Sequence, residues 1–159
     1  MRYARLTLDD AELVIAGRDL PELVSFELHR GRDPVQPDWA CDDAAFADAR
    51  MQLREWFVGE RRAFDLELAP VGTPFQRRVW AALAAIPYGQ TRSYGDIAVE
   101  LETAPRAVGS ANGANNVAVL IPCHRVIRSD GSLGGYAYGV NIKRRLLEAE
   151  AAARKGELL

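Results

Sequence analysis

The sequence predicts an α+β fold in two parts: a small N-terminal antiparallel sheet with one helix, then a mostly helical C-terminal part containing a helix-turn-helix. Three observations predict it. Three stretches of the first part, 2–8, 12–17 and 23–28, carry the short apolar runs and alternations of half-buried strands. From Thr73 onward apolar residues recur at three and four, the spacing of helices buried along one side. Between them Ala69-Pro70-Val71-Gly72 reads as a linker, leaving an N-terminal domain at 1–68 and a C-terminal domain at 73–159.

In the N-terminal part the first two strands turn at Asp9-Asp10, and Asp33-Pro34 with Gln36-Pro37-Asp38 marks a loop. The pattern over 43–59 is helical. Phe46, Arg50, Leu53 and Phe57 share a face there, and Gly59 supplies the stop. Residues 64–68 return to strand alternation. Nothing here carries chemistry, and His29 and Cys41 are expected to serve packing or surface.

In the C-terminal part Thr73 caps a helix, with Pro74 at its first position and Gln76 completing a capping box. Phe75, Val79, Leu83 and Ile86 form its apolar stripe, and Pro87-Tyr88-Gly89 ends it. Ser93 opens a second helix, capped with Asp96, whose Tyr94, Ile97 and Leu101 share a face. A tight turn at Glu102-Thr103-Ala104 leads to a third helix over about 105–115. Two short helices so joined read as a helix-turn-helix. The second of the pair carries a stripe of small side chains, Ala107, Ser110, Ala111 and Ala114, thinned further by Gly109 and Gly113. A helix that reads bases in the major groove carries long polar side chains. A thin helix permits close backbone approach, which suits a minor groove; tight packing inside the protein is the alternative. Arg106, long, cationic and planar, stands at the head of this face.

Composition excludes some classes. No apolar run approaches the roughly 20 residues of a membrane span, and the first ten residues are no secretion signal, so a cytoplasmic or nucleoid-associated protein is expected. Two cysteines are too few for a disulfide framework and suit a reducing compartment. Cys41, Cys123, His29 and His124 show no metal-ligand spacing, so no metal is expected. The formal net charge is only −2, but residues 1–73 sum to −6 and residues 74–147 to +5, which points the second part at an anionic partner.

The chemistry concentrates in Leu120-Ile121-Pro122-Cys123-His124-Arg125-Val126-Ile127. A thiol reacts as its thiolate and needs help to ionise at neutral pH. His124 is adjacent and Arg125 adds positive charge. The flanking apolar runs place Cys123 at the end of a core strand, with Pro122 ending the strand pairing. Glu150 falls on the apolar face of the last helix, at four from Leu146 and three from Leu147. A carboxylate aimed at a core needs a partner, and His124 is the obvious one. Between the turn at Ser129-Asp130-Gly131-Ser132 and that helix lies a Gly-rich loop, 133–139, with two tyrosines. It lacks the phosphate-loop pattern and is fit to wrap a flat base.

Pro-Cys-His-Arg-Val resembles the active-site signature of the O6-alkylguanine-DNA alkyltransferases, the suicide DNA-repair methyltransferases. Arg106, seventeen residues before Cys123, and the run from Pro105 to Asn115 are similar to that family's recognition helix. The resemblance covers roughly residues 72–150. It implies catalytic roles for Cys123, His124, Glu150 and Asn115, the last bracing the site. It implies substrate contacts from Tyr94, which helps rotate the nucleotide, and from Val126, Tyr136 and the Ala137 N–H. It implies DNA contacts from Arg106, the finger that fills the vacated stack, and from Ala107 and Ser110. The implied partner is double-stranded DNA containing O6-alkylguanine, met along the minor groove with the base flipped out. The protein would act as a monomer, without a cofactor and once per molecule. Three positions depart from the pattern. Tyr138 stands where glycine is usual, which narrows the pocket; the helix-helix turn is about two residues short; and Asn116 replaces a common proline. The alternatives are an alkyltransferase-like lesion sensor, which would lack Cys123; a cysteine hydrolase, which would turn over and need no thin helix; and a transcription factor, which would carry base-reading side chains.

Overall fold

The computed structural model describes residues 1–8, 11–18, 25–28 and 33–157, which form two compact units, Met1–Val71 and Gly72–Leu159. His29 and the turn at Asp9-Asp10 lie outside the described residues.

The first unit is built on a four-stranded sheet. Strands β1 (Arg2–Leu8), β2 (Ala11–Gly17), β3 (Ser25–Leu28) and β4 (Ala40–Cys41) lie in the order β3-β2-β1-β4. β1 pairs antiparallel with β2 in the register Ala4↔Ile15, and β2 antiparallel with β3. β4 runs parallel to β1, so the sheet is mixed where a purely antiparallel one is expected. The alternation of β1 buries Ala4, Leu6 and Leu8, and helix α1 (Ala47–Phe57) packs on that strand. Residues 23–24 of the expected third strand are outside the described residues.

Two further expectations fail in this unit. The helix begins at Ala47 instead of residue 43, because the Asp42 carboxylate accepts from the Ala45 N–H and holds the chain in turns. Its buried face is Ala49, Gln52, Leu53 and Trp56; of the expected stripe Phe46 and Leu53 are buried, while Arg50 and Phe57 are only half-buried. Residues 64–68 form no strand. The buried Gln52 amide accepts from the Asp65 N–H at 2.8 Å and donates to the Asp65 carbonyl at 3.0 Å, taking both backbone groups a ladder would use. Cys41 is exposed.

The second unit is helical. Helix α2 (Pro74–Ala84) starts with the full capping box of Thr73 and Gln76. It buries Val79, Trp80 and Leu83, and the Trp80 indole donates to the Ala111 carbonyl at 2.8 Å. A second box, Ser93 with Asp96, starts helix α3 (Tyr94–Glu100), and α4 (Pro105–Gly113) follows after a tight turn. Helix α5 (Val140–Glu157) closes the unit. None of the described helices is long and apolar enough to cross a membrane.

A very short ladder fixes the relation of these pieces. β5 (Arg92–Ser93) pairs in parallel with β6 (Val126–Ile127), Arg92 opposite Val126 and Ser93 opposite Ile127. The start of α3 is thereby tied to the segment that follows Cys123. Cys123 itself does not end a core strand. Residues 117–121 form a tight loop closed by the Ile121 N–H to the Val117 carbonyl, and Cys123–Arg125 make one 3-10 turn before β6. The apolar run is buried, as its composition demands, but Val119 at φ +71° breaks the extended chain.

Candidate active site

The turn Cys123–Arg125 presents three side chains in consecutive positions, all buried. Cys123 is 3% exposed and borders a cavity of about 630 Å³. Burial pushes its thiol pKa up, because a thiolate loses hydration there. Hydrogen bonds oppose this. The thiol donates to the Tyr136 hydroxyl at 3.8 Å, and contacts from Asn115, Tyr136 and the Val119 backbone favour the thiolate. Val119 is a β-branched residue in the left-handed region, a strained conformation that its surroundings must enforce. Asn115 is what brackets it: its amide donates to the Ile121 carbonyl at 2.9 Å and accepts from the Val117 N–H at 3.0 Å.

His124 is fully buried, and its Nε2 donates to Glu150 Oε1 at 2.8 Å. That bond leaves Nδ1 as the basic ring nitrogen. Burial lowers the imidazole pKa, and the Glu150 charge recovers only part of the loss. Arg125 grips the same carboxylate through Nε and Nη2, while Nη1 donates to the Ile86 carbonyl at 2.7 Å. Burial would raise the Glu150 pKa, yet the bonds from His124 and Arg125 hold it below the usual carboxylate range. The positive charge that sequence reasoning offered to Cys123 from Arg125 is therefore spent on Glu150.

The cavity is lined by Tyr94, Arg106, Asn115, Cys123, Tyr136 and Tyr138, and also by Ala137. Tyr136 and Tyr138 meet edge to face with ring centroids 5.6 Å apart. Gly134 is needed in this wall because it sits at φ +71°, a backbone conformation that a side chain would strain. Val126, an expected substrate contact, is fully buried and its residue is not among those lining the cavity. His124 and Glu150 do not line it either.

On α4 the stripe of small residues divides. Ala111 is buried with its carbonyl on Trp80, Ala107 is half-buried, and Ser110, Gly113 and Ala114 are exposed. The helix ends at Gly113, two residues before the expected stop. A Cβ on Gly113 would meet nothing, so no packing within the chain asks for glycine there. Arg106 is exposed at the cavity rim.

Sequence reasoning missed three participants. Arg125 is the second holder of Glu150. Asn112 donates to the Cys123 carbonyl at 3.4 Å. Lys143, fully buried on α5, donates to the Val126 carbonyl at 2.5 Å. The signal for Lys143 was its spacing of seven from Glu150, which places two opposite charges on one side of α5. In α5 these two are buried, while Ile142, Leu146 and Leu147 are half-buried.

Residues 74–152 match the family described as 6-O-methylguanine DNA methyltransferase, DNA binding domain. The chain is 49% identical over 133 residues to the methylated-DNA–protein-cysteine methyltransferase of Mycobacterium tuberculosis, covering 82% of this chain and 81% of that one. It is 42% identical over 155 residues to the protein of the same name from Methanosarcina acetivorans, covering 96% and 99%. The crystal structure of Mycobacterium tuberculosis OGT in complex with DNA superposes with a TM-score of 0.89 at 44% identity, over 96% of this chain and 94% of that one.

Proposed function

The chain belongs to the 6-O-methylguanine DNA methyltransferase family, and we propose that it repairs DNA by moving the alkyl group of O6-alkylguanine onto Cys123, once per molecule. The observation that carries this reading is a buried thiol at the wall of a cavity with room for a base, whose rim holds an exposed arginine on a thin helix.

α4 docks along the minor groove, where its exposed Ser110, Gly113 and Ala114 let the backbone come close. The modified guanine leaves the stack and enters the cavity, and Arg106 occupies the gap. His124, held through Nε2 by Glu150, takes the Cys123 proton at Nδ1 through a bridging water. The sulfur forms a bond to the alkyl carbon as the carbon–O6 bond breaks. The electron pair goes to guanine, which also receives the proton that sulfur lost; Tyr94 and the Ala137 N–H stabilise the charge developing on O6. The product is a thioether, which water does not cleave under these conditions, so the thiol is consumed. These groups come from one chain, so a monomer suffices. Tyr138, bordering the cavity beside Tyr136, limits the size of alkyl group accepted.

The test is to incubate the protein with duplex DNA containing O6-methylguanine and map its tryptic peptides. Methyl on the Cys123 peptide, and none on a Cys123→Ser variant, is expected. Methyl on any other residue, or on none, overturns the assignment.

A further inference from the structure

The buried charges around the turn Cys123–Arg125 do not balance while Cys123 is a thiol. Arg125, His124, Glu150 and Lys143 are each at most 6% exposed. Glu150 is committed to Arg125 and His124. His124, its pKa lowered by burial, is neutral at pH 7. Among the described residues no ion pair includes Lys143. Its ammonium is held by carbonyls alone: Val126 at 2.5 Å, Leu133 at 2.5 Å and Gly135 at 3.4 Å, with the Tyr94 ring centroid 5.7 Å away. Carbonyl dipoles solvate a cation but do not neutralise it, and an uncompensated buried ammonium is costly. An apolar side chain of the same length would fill the space without that cost. Lys143 is tied to Val126, three residues after Cys123, and faces Tyr94, which lines the cavity together with Cys123. Of the charged and titratable groups around it, Arg128 has the same sign, His124 is neutral, and the Cys123 thiol, ordinarily more acidic than the Tyr94 phenol, is the one that gains a negative charge first.

We propose that Lys143 is a positioning residue for the transfer: its ammonium is the counter-charge to the Cys123 thiolate, and its bonds to Leu133 and Gly135 hold the loop bearing Tyr136 and Ala137 against the active-site turn. The unit carries one buried positive charge in excess before ionisation and none after it, so proton loss from sulfur relieves an imbalance built into the fold. The idea rests on the reading of Cys123 as alkyl acceptor, but it concerns the thiolate alone and is tested without DNA.

The test follows the alkylation of Cys123 by iodoacetamide against pH, in the parent chain, Lys143→Met and Lys143→Arg. The pH midpoint should rise by about one unit in Lys143→Met, slowing the reaction about tenfold at pH 7, and stay near the parent's in Lys143→Arg. A folded Lys143→Met with the parent midpoint overturns the proposal. Should Lys143→Met not fold, the reciprocal measurement decides: the Lys143 amine, followed by nitrogen NMR, should titrate at lower pH in Cys123→Ser than in the parent, and equal midpoints overturn it. A Lys143-dependent midpoint in a protein that takes no alkyl group from DNA supports this proposal and counts against the DNA substrate alone.

Discussion

At the scale of single residues the site is a contest between burial and pairing. Glu150 survives as a buried carboxylate because His124, Arg125 and, at 3.4 Å, the Gly89 N–H all donate to it. Removing it strands a buried guanidinium, and Glu150→Ala should cost about 3–5 kcal/mol, read as a shift of the urea midpoint with an unchanged slope; a change within 1 kcal/mol would contradict the arrangement. Tyr138 offers a prediction about selectivity. Tyr138→Gly should raise the transfer rate for O6-benzylguanine relative to O6-methylguanine on the order of tenfold, measured as single-turnover rates on the two substrates, and an unchanged ratio would free Tyr138 of any such role. Residue chemistry was largely legible in the sequence. Cys123, His124 and Glu150 could be singled out because thiol, imidazole and misplaced carboxylate each need a partner. Lys143 left only its spacing of seven from Glu150 as a signal, because a lysine in a helix otherwise reads as a solvated face and the three-dimensional path of residues 126–135 is what brings carbonyls to it.

At the scale of elements the capping boxes were the most legible features. Thr73 with Gln76 and Ser93 with Asp96 start helices where their side chains dictate. What sequence could not show was competition for backbone groups: the Gln52 amide cancels a strand at 64–68, and the strained Val119 turns an apolar run into a loop. The turn between α3 and α4 shows the same economy. The Thr103 N–H reaches the Ala98 carbonyl and the Glu102 N–H the Val99 carbonyl, a Schellman ending with Glu102 at φ +53° where glycine is at home. This is how a turn so short in sequence still closes the helix pair. Glu102→Gly should therefore stabilise the protein by about 1 kcal/mol, seen as a thermal midpoint higher by roughly 2–4 °C; a lower midpoint would show that the glutamate side chain contributes something the backbone does not reveal.

At the scale of the whole molecule the buried charges set how stability responds to acid. The His124 pKa is lowered in the folded state, so the unfolded chain binds its proton first, near the ordinary value of 6.5. Stability is lost as pH falls through and below that value. Glu150, also lowered, adds a second loss below its ordinary value of 4.5. Chemical denaturation at pH 7.5, 6 and 4.5 should thus give a steadily falling midpoint, and a flat or rising one would contradict a neutral buried imidazole. The charge asymmetry of the sequence, −6 before residue 74 and +5 over 74–147, has its structural counterpart in a second unit that carries the exposed Arg106, the thin helix and the cavity together. The most direct test of the whole account is stoichiometric: moles of methyl accepted per mole of protein, with O6-methylguanine duplex in large excess and over long times. Transfer should stop at one; continued transfer beyond that value would mean the sulfur is regenerated and would contradict a reaction that consumes the thiol.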